Sequence, residues 1–360
     1  MTALLPITTL GDYLHAALLP YKIDAMLSPA ARAMLEAVAA RLPSGLSKYF
    51  GLECRLGEAE PTADFLLCVD APGERSALAG LAPARGDNEA EVWRRVRAFA
   101  TDWPEPAELL WLEFDSASTA AFVPSVFFGA QNLRRGSDWS WIPAALATLR
   151  GEPPPAGMIE LFGRCIDALP GDARVFQIGT MLSRPEPFLR VCTRDMAADA
   201  IPSYLQRLGW TGAAGALADF LPFCAPLVDD LRADLDLTDR LGARLGLECK
   251  VTLKEPGDAE RLMRWIALLE RLGLCLPAKA GGLRAWSGLV HQRLGRDRWP
   301  ADQSAAAALA GEGTASLMQR TVSHVKIVFE PDGSLQAKAY LAVRPILVKD
   351  ADLARMLRGA

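Results

Sequence analysis

The sequence predicts an α+β protein whose sheet is antiparallel, has about ten strands, and is wrapped by helices. Three observations predict it. Segments with an alternating apolar pattern come in consecutive pairs, and near-neighbour pairing means antiparallel strands. Helical patterns fall between the pairs, so the chain repeats a strand–strand–helix unit. Several strands carry one apolar face and one charged face, which suits helices on one side and water on the other. Two closures fit: an open sheet covered on one face, or the same sheet closed into a barrel. The charged faces favour the barrel, because about ten strands enclose a wet chamber rather than a packed plug.

The elements follow in order. Residues 1–44 read as a helical N-terminal segment. Within it "SPAARAMLEAVAARL" (28–42) has Ser28 as N-cap and Pro29 at the first helical position. The barrel is expected over 45–349, as one domain filling 1–360, with 350–360 as a C-terminal tail. "SKYFGLECRLG" alternates, with Phe50, Leu52, Cys54 and Leu56 on one side and Tyr49, Gly51, Glu53 and Arg55 on the other. "ADFLLCVDAPG" is its partner strand and "NEAEVWRRVRAFATDW" the helix that follows. "AELLWLEFDSAS" and "PSVFFGAQNL" are strands before a helix near "WIPAALATLRG". "ARVFQIGTMLSR" and "PFLRVCTRD" are strands before a helix at "AADAIPSYLQRLGW".

"ALADFLPFCAPLVDDLRADLDL" (216–237) reads as a longer helical stretch, bent or broken at Pro222 and Pro226. Its "DDLRAD" is one residue too long for an Asp-rich metal motif and reads as an acidic, solvated helix face. "ARLGLECKVTLKE" is a strand. "DAERLMRWIALLERLGL" is an amphipathic helix with Leu262, Trp265, Ile266, Leu269 and Leu272 on its stripe. "AKAGGLRAW" places Trp286 in packing. "SHVKIVFEPDGSLQAKAYLAV" is a hairpin turning at "PDGS". His324 and Lys326 share one face of its first strand; Lys338 and Tyr340 share one face of its second.

Whole-chain properties narrow the function. The 360 residues are 51% apolar, enough for a sizeable core, and the net charge of -4 with no long basic run argues against a nucleic-acid partner. No apolar run reaches the length of a membrane span, and the N-terminus lacks a basic stretch before its apolar part, so no membrane partner and no signal peptide are expected. The seven cysteines show no C-x-x-C and read as buried thiols of a cytoplasmic protein. The three histidines lie far apart, so no metal site is expected. No P-loop, Rossmann fingerprint or Gly-x-Ser-x-Gly is present.

The charged strand faces carry the functional signal. "FGLECRL" and "LGLECKV" each place a carboxylate two residues before a cation: Glu53 and Arg55, then Glu248 and Lys250. Arg190, Cys192 and Arg194 share another face. Each strand alone reads as a solvated sheet face; together their cations suit a chamber that holds an anion.

The order of elements over nearly the whole chain, with Lys338-Ala339-Tyr340 in the late hairpin and "FGLECRL" early, resembles the αββα-barrel aromatic prenyltransferases. These include dimethylallyltryptophan synthases and cyanobactin peptide prenyltransferases. The resemblance implies a closed antiparallel barrel of about ten strands built from repeated αββα units, helices outside. It also implies transfer of an isoprenoid group from an allylic isoprenoid diphosphate to an electron-rich aromatic acceptor, an indole or phenol, small molecule or peptide side chain. Glu53 takes the place of the acceptor-binding base. Arg55, Arg190, Lys326 and Lys338 would hold the diphosphate, and Tyr340 would shield the allylic cation. Lys250 joins these cations in one expected rim with Arg55. The chain departs from the pattern in having only five tyrosines, with Val328 and Cys192 at two expected shield positions; Tyr49 or Trp111 would then serve. Side-chain cations can neutralise the leaving group, so no cofactor is required and Mg is possible but not essential. The alternative function is a non-catalytic accessory protein that binds a peptide or anion in a degenerate barrel.

Overall fold

The computed structural model describes residues 8–19, 23–82, 87–116, 122–184, 188–255, 257–294 and 298–353. Its strands are β1 (Tyr49–Arg55), β2 (Ala63–Val69), β3 (Leu110–Phe114), β4 (Ser125–Leu133), β5 (Arg174–Thr180), β6 (Leu189–Arg194), β7 (Asp230–Leu237), β8 (Leu241–Lys250), β9 (Gly288–His291), β10 (Thr314–Phe329) and β11 (Leu335–Lys349). β1 to β8 pair in sequence order, β8 pairs with β10, β10 with β11, and β11 with β1, all antiparallel. Ten strands therefore close a barrel. β9 stands outside the ring, paired to the first half of β10.

Two helices follow each early strand pair. Pro72–Ala79 and Asp87–Thr101 lie between β2 and β3, Ile142–Arg150 and Ala156–Asp167 between β4 and β5, and Ala200–Arg207 and Ala214–Cys224 between β6 and β7. Burial follows the alternation. Phe50, Leu52 and Cys54 of β1 join one continuous apolar layer with helix residues such as Trp93, Val96 and Phe99. The opposite faces of the strands line the lumen. The Ser28 cap forms as expected, its hydroxyl accepting from the Ala31 N–H at 3.2 Å.

The main correction is β7. Residues 230–237 form a barrel strand, not part of a helix; the helix before it ends at Cys224, two residues beyond Pro222. The reason is period two. Leu231, Ala233, Leu235 and Leu237 are buried outward, while Asp230, Arg232, Asp234 and Asp236 alternate with them. Of "DDLRAD", Arg232 and Asp234 thus line the lumen rather than a solvated helix face, while Asp229 pairs with Arg261. Leu272 lies past the end of its helix and is exposed. All seven cysteines are buried and free. No helix among the described residues is long and apolar enough to cross a membrane. Residues 354–360 of the expected tail lie outside the described residues.

Candidate active site

The lumen divides into a filled part and an open part. The filled part is built from ion pairs. The Glu53 carboxylate accepts from Lys338 Nζ at 2.6 Å and from the Tyr340 hydroxyl. This follows from register, since Glu53 faces Tyr340 across the β1–β11 seam and Lys338 is two residues along. Lys326 is ion-paired with Asp234. Arg190 makes a two-pronged contact with Asp236, at 2.7 and 2.9 Å. Arg55 donates to Asp64 at 2.9 Å. These groups leave about 30 Å³ of space, room for roughly one water.

Gly246 helps to build this part. A Cβ there would stand 2.5 Å from the Lys326 side chain and 3.1 Å from Asp234, so glycine lets the Lys326 arm cross β8 to its carboxylate.

The open part is a chamber of about 490 Å³. Its lining is sorted by strand. Aromatic side chains come from β1 (Tyr49), β3 (Trp111), β4 (Phe127) and β5 (Phe176). Cations come from β6 (Arg190, Arg194), β7 (Arg232), β8 (Lys250), β10 (Lys326) and β11 (Arg344). Tyr340 and His324 sit between the halves, their rings stacked at 4.2 Å. Tyr49 meets Trp111 edge-on at 5.1 Å, and Arg344 lies 4.0 Å over the Tyr49 ring. Phe127 lies across Gly179 of the next strand, where a Cβ would come within 2.3 Å of its ring. With Met181 and Cys192 it forms an apolar cluster separate from the outer core.

Burial and neighbouring charges set the protonation of the site. Burial alone would raise the Glu53 carboxyl, but the Lys338 charge and the hydrogen bonds from Lys338 and Tyr340 outweigh it and hold Glu53 well below the usual carboxylate range. Burial alone would lower Lys326; contact with Asp234 outweighs it and raises the ammonium. Burial, then Arg232 and Lys326, push His324 down to about 3, so its ring is neutral. Burial, then the charge of Glu53, push Glu113 up to about 8. Burial and the neighbouring Arg232 lower Lys250.

The expected site residues are therefore split. Arg190, Lys250, Lys326, Tyr340 and Tyr49 line the chamber; Glu53 and Lys338 line the filled part and not the chamber, and Arg55 lines a different hollow with Gly57, Glu58 and Lys338. The single rim containing both Arg55 and Lys250 does not form. Among the described residues Lys250 makes no ion pair, whereas Arg55, Arg190, Lys326 and Lys338 each have a carboxylate. The sequence reading missed Glu113, Arg232 and Asp234. Glu113 shares a strand face with Trp111, a signal present in "LWLEF"; the other two were hidden by the helical reading of β7.

No family model matches the chain, and no curated protein sequence matches it. Solved structures do. AnaPT from Neosartorya fischeri superposes with a TM-score of 0.50 at 13% identity, covering 93% of this chain and 91% of that one. The NotF prenyltransferase gives 0.43 at 11% identity, covering 83% of this chain and 80% of that one. The fold is the αββα barrel of the aromatic prenyltransferases, as the sequence resemblance implied. At such identities the likeness reaches the fold and leaves the activity to be argued from the chamber.

Proposed function

We propose that the protein transfers an isoprenyl group from an allylic isoprenoid diphosphate to an electron-rich aromatic acceptor, an indole or phenol, within the chamber. One observation carries this reading: the chamber wall is divided into an aromatic half and a cationic half. Breaking the allylic C–O bond leaves a carbocation and a diphosphate. Preorganised cations stabilise the leaving group, and aromatic faces stabilise the carbocation without capturing it.

The diphosphate belongs against Lys250, Arg232 and Arg194. Among the described residues Lys250 makes no ion pair, and its ammonium is lowered by burial first and then by the neighbouring Arg232, a repulsion that a bound anion would offset. Arg190 and Lys326 add to the local field while bound to Asp236 and Asp234. The isoprenyl chain then faces Tyr49, Trp111, Phe127 and Phe176. These rings take the role that the family's tyrosines would fill.

A second reading, a non-catalytic anion- or peptide-binding barrel, draws support from the ion pairs that already engage Lys326, Lys338, Arg190, Arg232 and Arg194. One experiment separates the two. The purified protein is incubated with dimethylallyl or geranyl diphosphate and a panel of indoles, phenols and aromatic peptides, and products are read by mass spectrometry. Transfer adds one isoprenyl unit to an acceptor. A folded protein that binds the diphosphates but yields no adduct with any pair is the accessory barrel.

A further inference from the structure

We infer that Glu113 is the carboxyl group that takes the proton released by the aromatic acceptor, and that Glu53 is structural. This rests on the transfer reading above. When a ring carbon bonds to the allylic carbon, the diphosphate departs with the electron pair of the C–O bond, and the ring becomes a cation that still holds its hydrogen. Rearomatisation breaks that C–H bond. Its electron pair returns to the ring, and the proton moves to a Glu113 oxygen. Attack through an indole nitrogen or a phenol oxygen releases the N–H or O–H proton to the same oxygen.

Position makes the first argument. Glu113 lies on β3, two residues from Trp111 on the same face. It lines both the chamber and the filled part, so it stands where the two meet. In register it adjoins Leu66 of β2 and Ser125 of β4, neither of which carries charge. The chamber's cations stand on other strands, so Glu113 sits on the side where the ring and the allylic chain would lie.

Availability makes the second. Among the described residues Glu113 has no hydrogen bond or ion pair. The other luminal carboxylates are engaged. Glu53 holds Lys338 and Tyr340, Asp234 holds Lys326, Asp236 holds Arg190, and Asp64 holds Arg55. Glu248 stands 3.6 Å from both Arg232 and His324. A carboxylate held well below its ordinary range by a lysine and a tyrosine is a weak proton acceptor.

Electrostatics agree with both. The charged groups facing Glu113 are Glu53 on β1, Asp115 just beyond β3, Arg190 on β6 and Lys326 on β10; the Tyr340 hydroxyl on β11 also faces it. Burial and Glu53 outweigh the two cations, and the carboxyl is pushed up to about 8. A base with a value near the working pH is far more effective than one held as low as Glu53. Glu53 thus serves by keeping its charge beside Glu113.

The test uses the full chain and the variants Glu113→Gln, Glu113→Asp and Glu53→Gln, with the donor and acceptor found for the wild type. Wild-type kcat/KM should rise with pH along a one-proton limb centred near 8. In Glu113→Gln turnover should fall by roughly a hundredfold to ten-thousandfold and the limb should vanish. A primary isotope effect should then appear with acceptor deuterated at the reacting carbon. Binding of dimethylallyl thiolodiphosphate should stay within about twofold of wild type, well under the loss that a removed charge-assisted contact would give. Glu113→Asp should be slower but keep the limb, and Glu53→Gln should shift the limb to lower pH because a neighbouring negative charge is gone. A Glu113→Gln protein with wild-type turnover and an intact limb overturns the inference and leaves the transfer reading standing. A wild-type protein that neither binds the analogue nor forms adduct overturns both.

Discussion

Replacing Glu53 by glutamine should destabilise the barrel at its seam. Glu53 is 7% exposed, lies on β1, and accepts from two residues of β11, the strand that closes the ring. Without the carboxylate, Lys338 becomes a poorly solvated cation whose register neighbour on β10 is Lys326. Removing one partner of a buried pair costs about 3–5 kcal/mol, because the other charge stays behind. Lys338→Met should cost a similar amount for the mirror reason. The double variant Glu53→Gln/Lys338→Met removes both charges and should recover most of the loss, giving a coupling of about 3 kcal/mol or more. The pH dependence has a definite sign. Glu53 is held below its ordinary 4.5 in the folded state, so its contribution is present above pH 4.5 and is lost as pH falls towards the folded value. The assay is equilibrium urea unfolding at pH 7 and pH 4, read by midpoint at constant slope. Single variants that each cost under about 1 kcal/mol, or a double that costs their sum, would refute the reasoning.

Other perturbations test other parts of the chamber. Glu113→Gln should have the opposite pH signature, since the folded state holds the Glu113 proton more tightly than the unfolded chain: the wild type loses stability between pH 4.5 and about 8, and the variant should match it at pH 4 but exceed it by about 3–5 kcal/mol at pH 8. Thermal unfolding across that range checks it; parallel Tm curves would count against a raised Glu113. Lys250→Ala should weaken a thiolodiphosphate analogue by roughly tenfold to over a hundredfold in calorimetry, while Arg55→Ala, outside the chamber, should leave it unchanged. Turnover should persist in excess chelator, because side-chain cations neutralise the leaving group; complete loss restored by Mg would show that a divalent ion is needed.

The fold was legible because barrel strands are amphipathic in period two. "FGLECRL" and the late hairpin sort every second residue to the apolar layer and the rest to the lumen, and the strands form where that pattern occurs. β7 was not legible because Pro222, Pro226 and an apolar run precede it, so "DLRADLDL" was absorbed into a helix although its own alternation is strict. Within the site, Lys338 and Tyr340 were found from a local motif, yet their carboxylate is 285 and 287 residues away in the chain. Pairing at that distance depends on closure of the ring. The two "GLEC" copies show the same limit: Glu53 is locked at the seam, whereas Glu248 faces the chamber near Arg232 and His324. Local sequence placed both carboxylates in the lumen, and only the neighbouring strands distinguish their surroundings.

The most direct test of the central claim is a crystal structure of the protein with dimethylallyl thiolodiphosphate bound. The account predicts the diphosphate against Lys250, Arg232 and Arg194, with the dimethylallyl group among Tyr49, Trp111, Phe127 and Phe176 and within reach of Glu113. An analogue bound outside the barrel, or a lumen that stays empty at saturating analogue, would contradict it.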